Sequence, residues 1–309
     1  MHVLLDVHRV PSPVRISVRP HSLAVTLARV PVYIFDPAGR LHQAFVGGRN
    51  YLRGLDNRVM EKWGRSQLGV PIRRDLLPEE AHSFLSTTYG RMQHLRKAVR
   101  AGSIRRLDEH WADPRPLAQA QAALDTICQW SAERLEIDGQ RFHTIYKPVS
   151  ILPPDQYMAL VLQATEGCSQ NRCTFCTFYR DRPFRIKSLP EFQEHVAQVK
   201  AFFGPALQMR RSLFLADANA IAIPERRLLS MLDLVNDAFD VVAPWTGFGP
   251  SRRAHPGARA GIYAFVDAFT SRFKTVADYS LLAALNLGRV YVGLETGHDP
   301  LLAWLRKTG

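Results

Sequence analysis

The stretch that decides the reading runs Met158-Ala159-Leu160-Val161-Leu162-Gln163-Ala164-Thr165-Glu166-Gly167-Cys168-Ser169-Gln170-Asn171-Arg172-Cys173-Thr174-Phe175-Cys176. Its first part, 158–164, is a short and almost wholly apolar run, which predicts a buried strand. That strand delivers a polar turn holding three of the chain's 4 cysteines. Thiolates grouped this tightly suit a soft metal centre, because one loop can wrap several sulfurs around it. Their number matters as much as their grouping. A structural zinc site closes with four ligands, and an ordinary [4Fe–4S] cluster takes four cysteines. Three cysteines leave one iron of a cubane open to another ligand. Pairing two of them in a disulfide leaves a thiol over, and nothing at the N-terminus reads as a secretory signal. Zinc needs a histidine to complete the set. The nearest downstream is His195, in a predicted helix, and the spacing lacks the paired pattern of zinc fingers and ribbons. Inert buried cysteines are the third alternative, at odds with the polar company of Gly167, Ser169, Gln170 and Asn171. Cys128 reads differently: it falls on the apolar side of a predicted helix and belongs to a core.

Downstream of the loop, apolar and amphipathic segments alternate. Helices are predicted over 189–203, 224–238 and 276–287, and strands over 213–216, 262–268 and 289–294. A loop rich in Gly, Pro and Arg covers 245–261. This alternation argues for a parallel sheet with βαβ crossovers. Sites in such sheets lie at the carboxyl ends of the strands, where Cys168, Asn219 and Glu295 would emerge. Upstream, two apolar runs (30–35 and 41–45) flank Asp36-Pro37-Ala38-Gly39 and predict a β-hairpin. Helical patterns follow at 57–64, 78–101 and 116–136, the second with Glu79 and Glu80 in its first turn. The Pro-rich stretch 147–154 reads as a linker. Two domains are therefore expected, 1–150 and 151–309.

The run from Ala164 through Cys168, Cys173, Phe175 and Cys176 to Tyr179 resembles the cluster loop of the radical S-adenosylmethionine superfamily. That pattern is C-x3-C-x-aromatic-C, with Phe175 at the aromatic position and one extra residue here between the first two cysteines. Two further stretches follow in the same order. Leu213-Phe214-Leu215-Ala216-Asp217-Ala218-Asn219 stands where the family has a strand ending in a Gly-Gly-Glu-like motif, with both glycines and the glutamate replaced. Val290-Tyr291-Val292-Gly293-Leu294-Glu295-Thr296-Gly297 is similar to a strand ending Gly-Leu-Glu-Ser-Gly.

The resemblance covers roughly 155–309 and implies an α/β fold. The expected core is a partial parallel (βα) barrel over 151–309, with 1–150 as an accessory α+β domain. Only four of the family's six βα units are readable, which implies a chain truncated at its C-terminus. The resemblance further implies a [4Fe–4S] cluster on Cys168, Cys173 and Cys176, with S-adenosyl-L-methionine on the fourth iron. Phe175, Asp217, Asn219, Gly293, Glu295 and Thr296 are the implied cofactor-facing residues. One electron from the reduced cluster would cleave the cofactor to a 5′-deoxyadenosyl radical that takes hydrogen from a substrate. A reductant such as flavodoxin or ferredoxin would supply the electron. Tyr179, Tyr263 and Asp267 could face a pocket, and no residue is assigned a catalytic role. The substrate (small molecule, protein or RNA) stays open.

With 46% hydrophobic and 22% charged residues the composition is that of an ordinary globular protein. No apolar run approaches a membrane span, and few cysteines without a leader suggest a reducing cytoplasm. The formal charge is +12. Residues 1–150 carry 22 Lys and Arg against 14 Asp and Glu, and 151–309 carry 18 against 14. The excess is dispersed, and no nucleic-acid-binding signature accompanies it. Near the cysteines, Arg172, Arg180, Arg182, Arg185 and Lys187 face Asp181 alone over 168–188, a setting that would favour an anionic cluster. Two other classes remain open: a non-catalytic iron–sulfur electron-transfer protein, and a zinc-stabilised nucleic-acid-binding protein.

Overall fold

Alternating burial along its first strands shapes the N-terminal part of the chain. The computed structural model describes residues 1–108, 113–242, 257–268 and 274–307, and the chain divides into two units, Met1–Thr144 and Ile145–Gly309. In the first unit, β1 (His2–Val7), β2 (Val14–Arg19), β3 (Ser22–Leu27), β4 (Val32–Phe35) and β5 (Leu41–Val46) are followed by β6 (Arg49–Arg53), β7 (Val59–Arg65) and β8 (Pro71–Asp75). Helix α1 (Pro78–Arg100) then leads to β9 (Ile104–Arg106), α2 (Arg115–Ile127) and α3 (Ala132–Ile145). The strands form one 9-stranded sheet in the order β8-β7-β6-β5-β4-β3-β2-β1-β9. Every pairing in it is antiparallel. In β1 and β3 every second residue is buried, as one sheet face covered by helices requires. Helix α1 buries Ala81, Leu85, Tyr89, Met92, Leu95 and Val99, a stripe at three- and four-residue spacing.

In the second unit, β10 (Leu160–Gln163), β11 (Thr165–Glu166) and β12 (Arg185–Ile186) precede α4 (Leu189–Phe203), β13 (Leu213–Ala216) and α5 (Glu225–Ala238). They are followed by β14 (Val241–Val242), β15 (Arg259–Ala260), β16 (Ile262–Asp267), α6 (Val276–Ala284), β17 (Leu287–Gly293) and α7 (Asp299–Trp304). A 4-stranded sheet runs β10-β13-β16-β17, parallel throughout. All four residues of β13 are buried, as expected of a central parallel strand. Helix α4 begins where Ser188 and Glu191 cap each other reciprocally, the arrangement that satisfies otherwise orphaned backbone donors.

This corrects the expected architecture. The largest sheet is antiparallel and lies in the N-terminal unit. The parallel strands make an open four-stranded sheet, and no barrel closes among the described residues. The strand–helix alternation predicted parallel pairing but carried no information on closure, which depends on strand number and stagger.

Two local expectations also change. The segment 57–64 is strand β7 rather than a helix. It buries Val59 and Glu61 on one face, and Glu61 accepts hydrogen bonds from Arg49 (2.8 Å), Tyr51 (2.9 Å) and Arg74 (3.0 Å). A glutamate in a core position disguises the period-two pattern. The predicted helix 116–136 is two helices, broken where Trp130 Nε1 donates to the Ala38 carbonyl (2.7 Å) and Ser131 Oγ accepts from Arg134 N (3.2 Å). Residues 245–256 of the Gly-, Pro- and Arg-rich loop lie outside the described residues. Among the described residues, no helix is long and apolar enough to cross a membrane.

The predicted hairpin turn is held by Asp36, whose Oδ1 accepts from Ala38 N and Arg40 N at 2.9 Å each. Gly39 has φ +91°, and a Cβ there would stand 2.5 Å from the Thr126 carbonyl oxygen, so only glycine fits. Beneath the turn lies a buried ionic cluster. Arg40 Nε donates to Asp36 (2.7 Å), and Arg40 and Arg53 share Asp138 at 3.3 and 4.0 Å. Burial lowers the pKa of Arg53. Removing one member of such a cluster strands the others without water or a partner. Asp138→Ala is expected to lower the unfolding free energy by about 3–5 kcal/mol in urea titrations, and Asp125→Ala, at the exposed Arg100–Asp125 pair, by about 1 kcal/mol or less.

Candidate functional site

The cysteines lie on the connection of a two-stranded ribbon. Strands β11 and β12 pair antiparallel, Thr165 with Ile186 and Glu166 with Arg185, so residues 167–184 form a loop closed at its neck. Arg185 also bridges Glu166 and Glu191, and Lys187 Nζ donates to the Gln163 carbonyl at 2.9 Å. Gly167 enters the loop at φ +76°, where a Cβ would meet the Pro183 carbonyl oxygen at 2.7 Å. The returning chain at Pro183 and Phe184 runs too close for any side chain.

Within the loop, backbone groups are tied down by side chains. Arg180 donates to the carbonyls of Cys176 and Cys173, both at 3.0 Å. Asn171 Nδ2 donates to the Tyr179 carbonyl (2.9 Å), and Ser150 Oγ to that of Phe178 (3.1 Å). All three cysteines are free and half-buried. Burial pushes the Cys173 thiol up, opposed by Lys307 and reinforced by Cys168, Cys176 and Glu295. Those groups therefore share one neighbourhood. Among the described residues, no three His, Cys, Asp or Glu side chains converge on a point that would hold a single metal ion.

The loop meets the carboxyl ends of the parallel strands at several places. Asp217, just past β13, is buried. Its Oδ1 accepts from Gln163 Nε2 (2.9 Å) and its Oδ2 from Gly167 N (3.1 Å). Arg182 lies 3.5 Å from the same Oδ2, and burial pushes the carboxyl above its ordinary range against the pull of these partners. Asn219 Nδ2 donates to Ser169 Oγ (3.2 Å) and to Asp267. Past β17, Glu295 adopts φ +61°, a left-handed conformation that costs a residue with a Cβ. The Lys307 ammonium is buried, pairs with Glu295 and donates to the Gly293 carbonyl (2.8 Å). The segment after α7 completes the contact: Thr174 N donates to the Leu305 carbonyl (3.0 Å) and Gln170 Nε2 to that of Arg306 (3.3 Å).

The structure thus gathers Cys168, Cys173, Cys176, Asp217, Asn219, Gly293 and Glu295 around one loop. Phe175 projects outward, 53% exposed. Thr296 shapes the turn into α7, its Oγ1 accepting from His298 N (3.2 Å). Asp267 reaches the site through Asn219, and Tyr179 is buried over the loop beside Arg182. Tyr263 instead packs in an aromatic group with Phe214, Phe265 and Tyr291. Sequence reading missed Gln163 and Lys307. Gln163 was visible as the one polar residue in the apolar run 158–164. Lys307 carried no signal, since a lone lysine after a helix reads as solvated.

The donor chemistry suits a soft metal: three free thiols stand on one constrained loop, with Arg180 and the buried Lys307 as cations beside them. His195, the nearest candidate to complete a zinc set, is spent elsewhere: Nε2 accepts from Gln163 N (3.0 Å), and the ring also bonds the Ile145 backbone. No family model, curated protein or solved structure matches this chain.

His195 offers a pH test of this packing. Burial, then the Lys187 charge, lowers its pKa to about 3, so the fold holds it neutral. The unfolded chain binds its proton below about pH 6.5. The stability that neutral His195 contributes is complete above that pH and is lost as pH falls toward 3. Replacing His195 with Gln is expected to flatten the pH dependence of unfolding over this window by up to about 1.4 kcal/mol per pH unit, measured by urea titration at several pH values.

Proposed function

We propose that this chain is a [4Fe–4S]-dependent enzyme of the radical S-adenosylmethionine type, which abstracts hydrogen from its substrate. The observation that carries the reading is the loop itself. Three free, half-buried thiols stand at the carboxyl ends of a parallel sheet, with a buried lysine and a strained glutamate beside Cys173. Cys168, Cys173 and Cys176 would hold three irons. The cluster, once bound, supplies one-electron reduction to S-adenosylmethionine at the iron that no cysteine holds.

The protein's own contribution is positioning and electrostatics. Arg180 fixes the backbone at two of the cysteines, which limits the conformations their thiols sample. Lys307 and Arg180 place positive charge beside an anionic centre, which favours its reduced state. Gly293 ends β17 and Glu295 follows it, and Glu295 offers a carboxylate to hydroxyl or amino groups of a bound cofactor. Asn219 reaches the loop at Ser169 and ties it to Asp267. A one-electron donor such as flavodoxin or ferredoxin is required to begin turnover.

The test is EPR of the anaerobically reconstituted, dithionite-reduced protein, with and without S-adenosylmethionine. A [4Fe–4S]⁺ signal that changes shape on adding the cofactor is expected, and Cys176→Ala should lose most of the iron. A cluster signal indifferent to the cofactor would mean a closed electron-transfer site. Stoichiometric zinc in place of iron would overturn the reading entirely.

A further inference from the structure

We propose that Asp217 is the positioning residue of the cysteine loop, docking it to the edge of the parallel sheet through Gly167 and Arg182. The functional consequence rests on the iron–sulfur reading above; the docking does not. Two contacts define the role. At the start of the loop, the Gly167 N–H donates to Asp217 Oδ2 at 3.1 Å, one residue before Cys168. Near its end, the Arg182 guanidinium lies 3.5 Å from the same oxygen, with both side chains buried. The other carboxylate oxygen is held by Gln163 at the end of β10 (2.9 Å), and the Asp217 N–H donates to Thr165 Oγ1 (2.9 Å). One carboxylate therefore joins the strand before the loop, the first loop residue and a late loop residue to the carboxyl end of β13.

The ribbon pairing of β11 with β12 closes the neck but does not aim it. Two backbone pairings can pivot about their own axis. Asp217 supplies the fixed point away from that axis, because its position follows from the β10–β13 register, in which Gln163 lies opposite Ala216. Arg182 is itself anchored on both sides: it donates to the Pro148 carbonyl (2.7 Å) and to Asp181 (2.8 Å). Its guanidinium stacks over Tyr179 at 5.3 Å. The carboxylate thus meets a preorganised cation. With the loop so docked, its far side reaches Leu305 and Arg306, and Cys173 comes under the influence of Lys307 and Glu295. Among the described residues, Asp217 makes no hydrogen bond to a cysteine. It acts through the backbone of Gly167 and the side chain of Arg182.

The experiment uses the full metal-free chain under anaerobic conditions. Maleimide labelling of Cys168, Cys173 and Cys176 is followed by peptide mass spectrometry, with Cys128 as the internal reference. Asp217→Asn and Arg182→Met are each expected to speed labelling of the loop thiols about tenfold or more, the scale of losing a hydrogen bond to a charged group, and to leave Cys128 unchanged. The double variant should fall well short of the product of the two single effects, since both lose the shared Asp217–Arg182 contact. Arg182→Lys, which keeps the charge, should restore most of the protection. Additive effects in the double variant, or unchanged labelling in Arg182→Met, would overturn the proposal even if Asp217→Asn fails to fold. Reconstitution with ferrous iron and sulfide then separates the two readings. If the wild type takes up a cluster, the singly substituted proteins should retain less than about a third of its iron and show an altered visible spectrum. Equal loading would overturn the positioning role. A wild type that takes up no iron would overturn the iron–sulfur reading and leave the docking to be judged on labelling alone.

Discussion

A buried carboxylate at the end of a central strand is costly unless every lone pair finds a donor. Asp217 meets that demand with hydrogen bonds from the side chain of Gln163 and the backbone of Gly167 and with the nearby charge of the Arg182 guanidinium. The same requirement that satisfies the charge sets where the cysteine loop goes. Because β10 and β13 are neighbours in the sheet, the loop leaving one strand lies beside the residue ending the other. The loop then has only a short distance to cover before it meets Asn219, Glu295 and Lys307. The candidate site is therefore a consequence of strand order, expressed through one charge that cannot be left alone.

The same physics appears twice more in the chain. In the N-terminal unit, Arg40 and Arg53 are buried with Asp36 and Asp138, joining the hairpin turn, the end of β6 and helix α3. On the same sheet, Glu61 is buried and satisfied by Arg49, Tyr51 and Arg74. Each cluster ties together segments that local propensity would leave independent. The cost is a core intolerant of losing any single partner. The gain is register, since a shifted strand would strand a charge as well as expose apolar side chains.

Around the cysteines the distribution of charge is selective. Of the five cations after the first cysteine, Arg185 and Lys187 face Glu166 and close the neck of the loop, and Arg185 also meets Glu191. Arg182 is taken by Asp217 and Asp181. Arg180 is the one that reaches the backbone at Cys173 and Cys176. A basic tract that looks uniform in the sequence thus divides into separate tasks, and a lysine distant in sequence, Lys307, supplies the buried charge beside Cys173.

Local chemistry was legible without coordinates. The cysteine triplet, the hairpin turn at Asp36-Pro37-Ala38-Gly39, helices α1, α4 and α5 and strand β13 all follow from patterns within a few residues: turn formers, capping residues and apolar periodicity. The three cysteines could be singled out because thiols at that spacing have few uses. What the sequence could not decide was anything set by a distant partner. Strand β7 was hidden because its buried glutamate is neutralised by arginines on β6 and β8. The antiparallel sheet of nine strands and the open parallel one depend on which edges meet, and alternating patterns are silent on that. Asp217, Gln163 and Lys307 acquire their roles only once β10, β13, β16 and β17 assemble into one sheet. Short-range propensity is written residue by residue, whereas the pairing of charges and edges is a property of the packed chain.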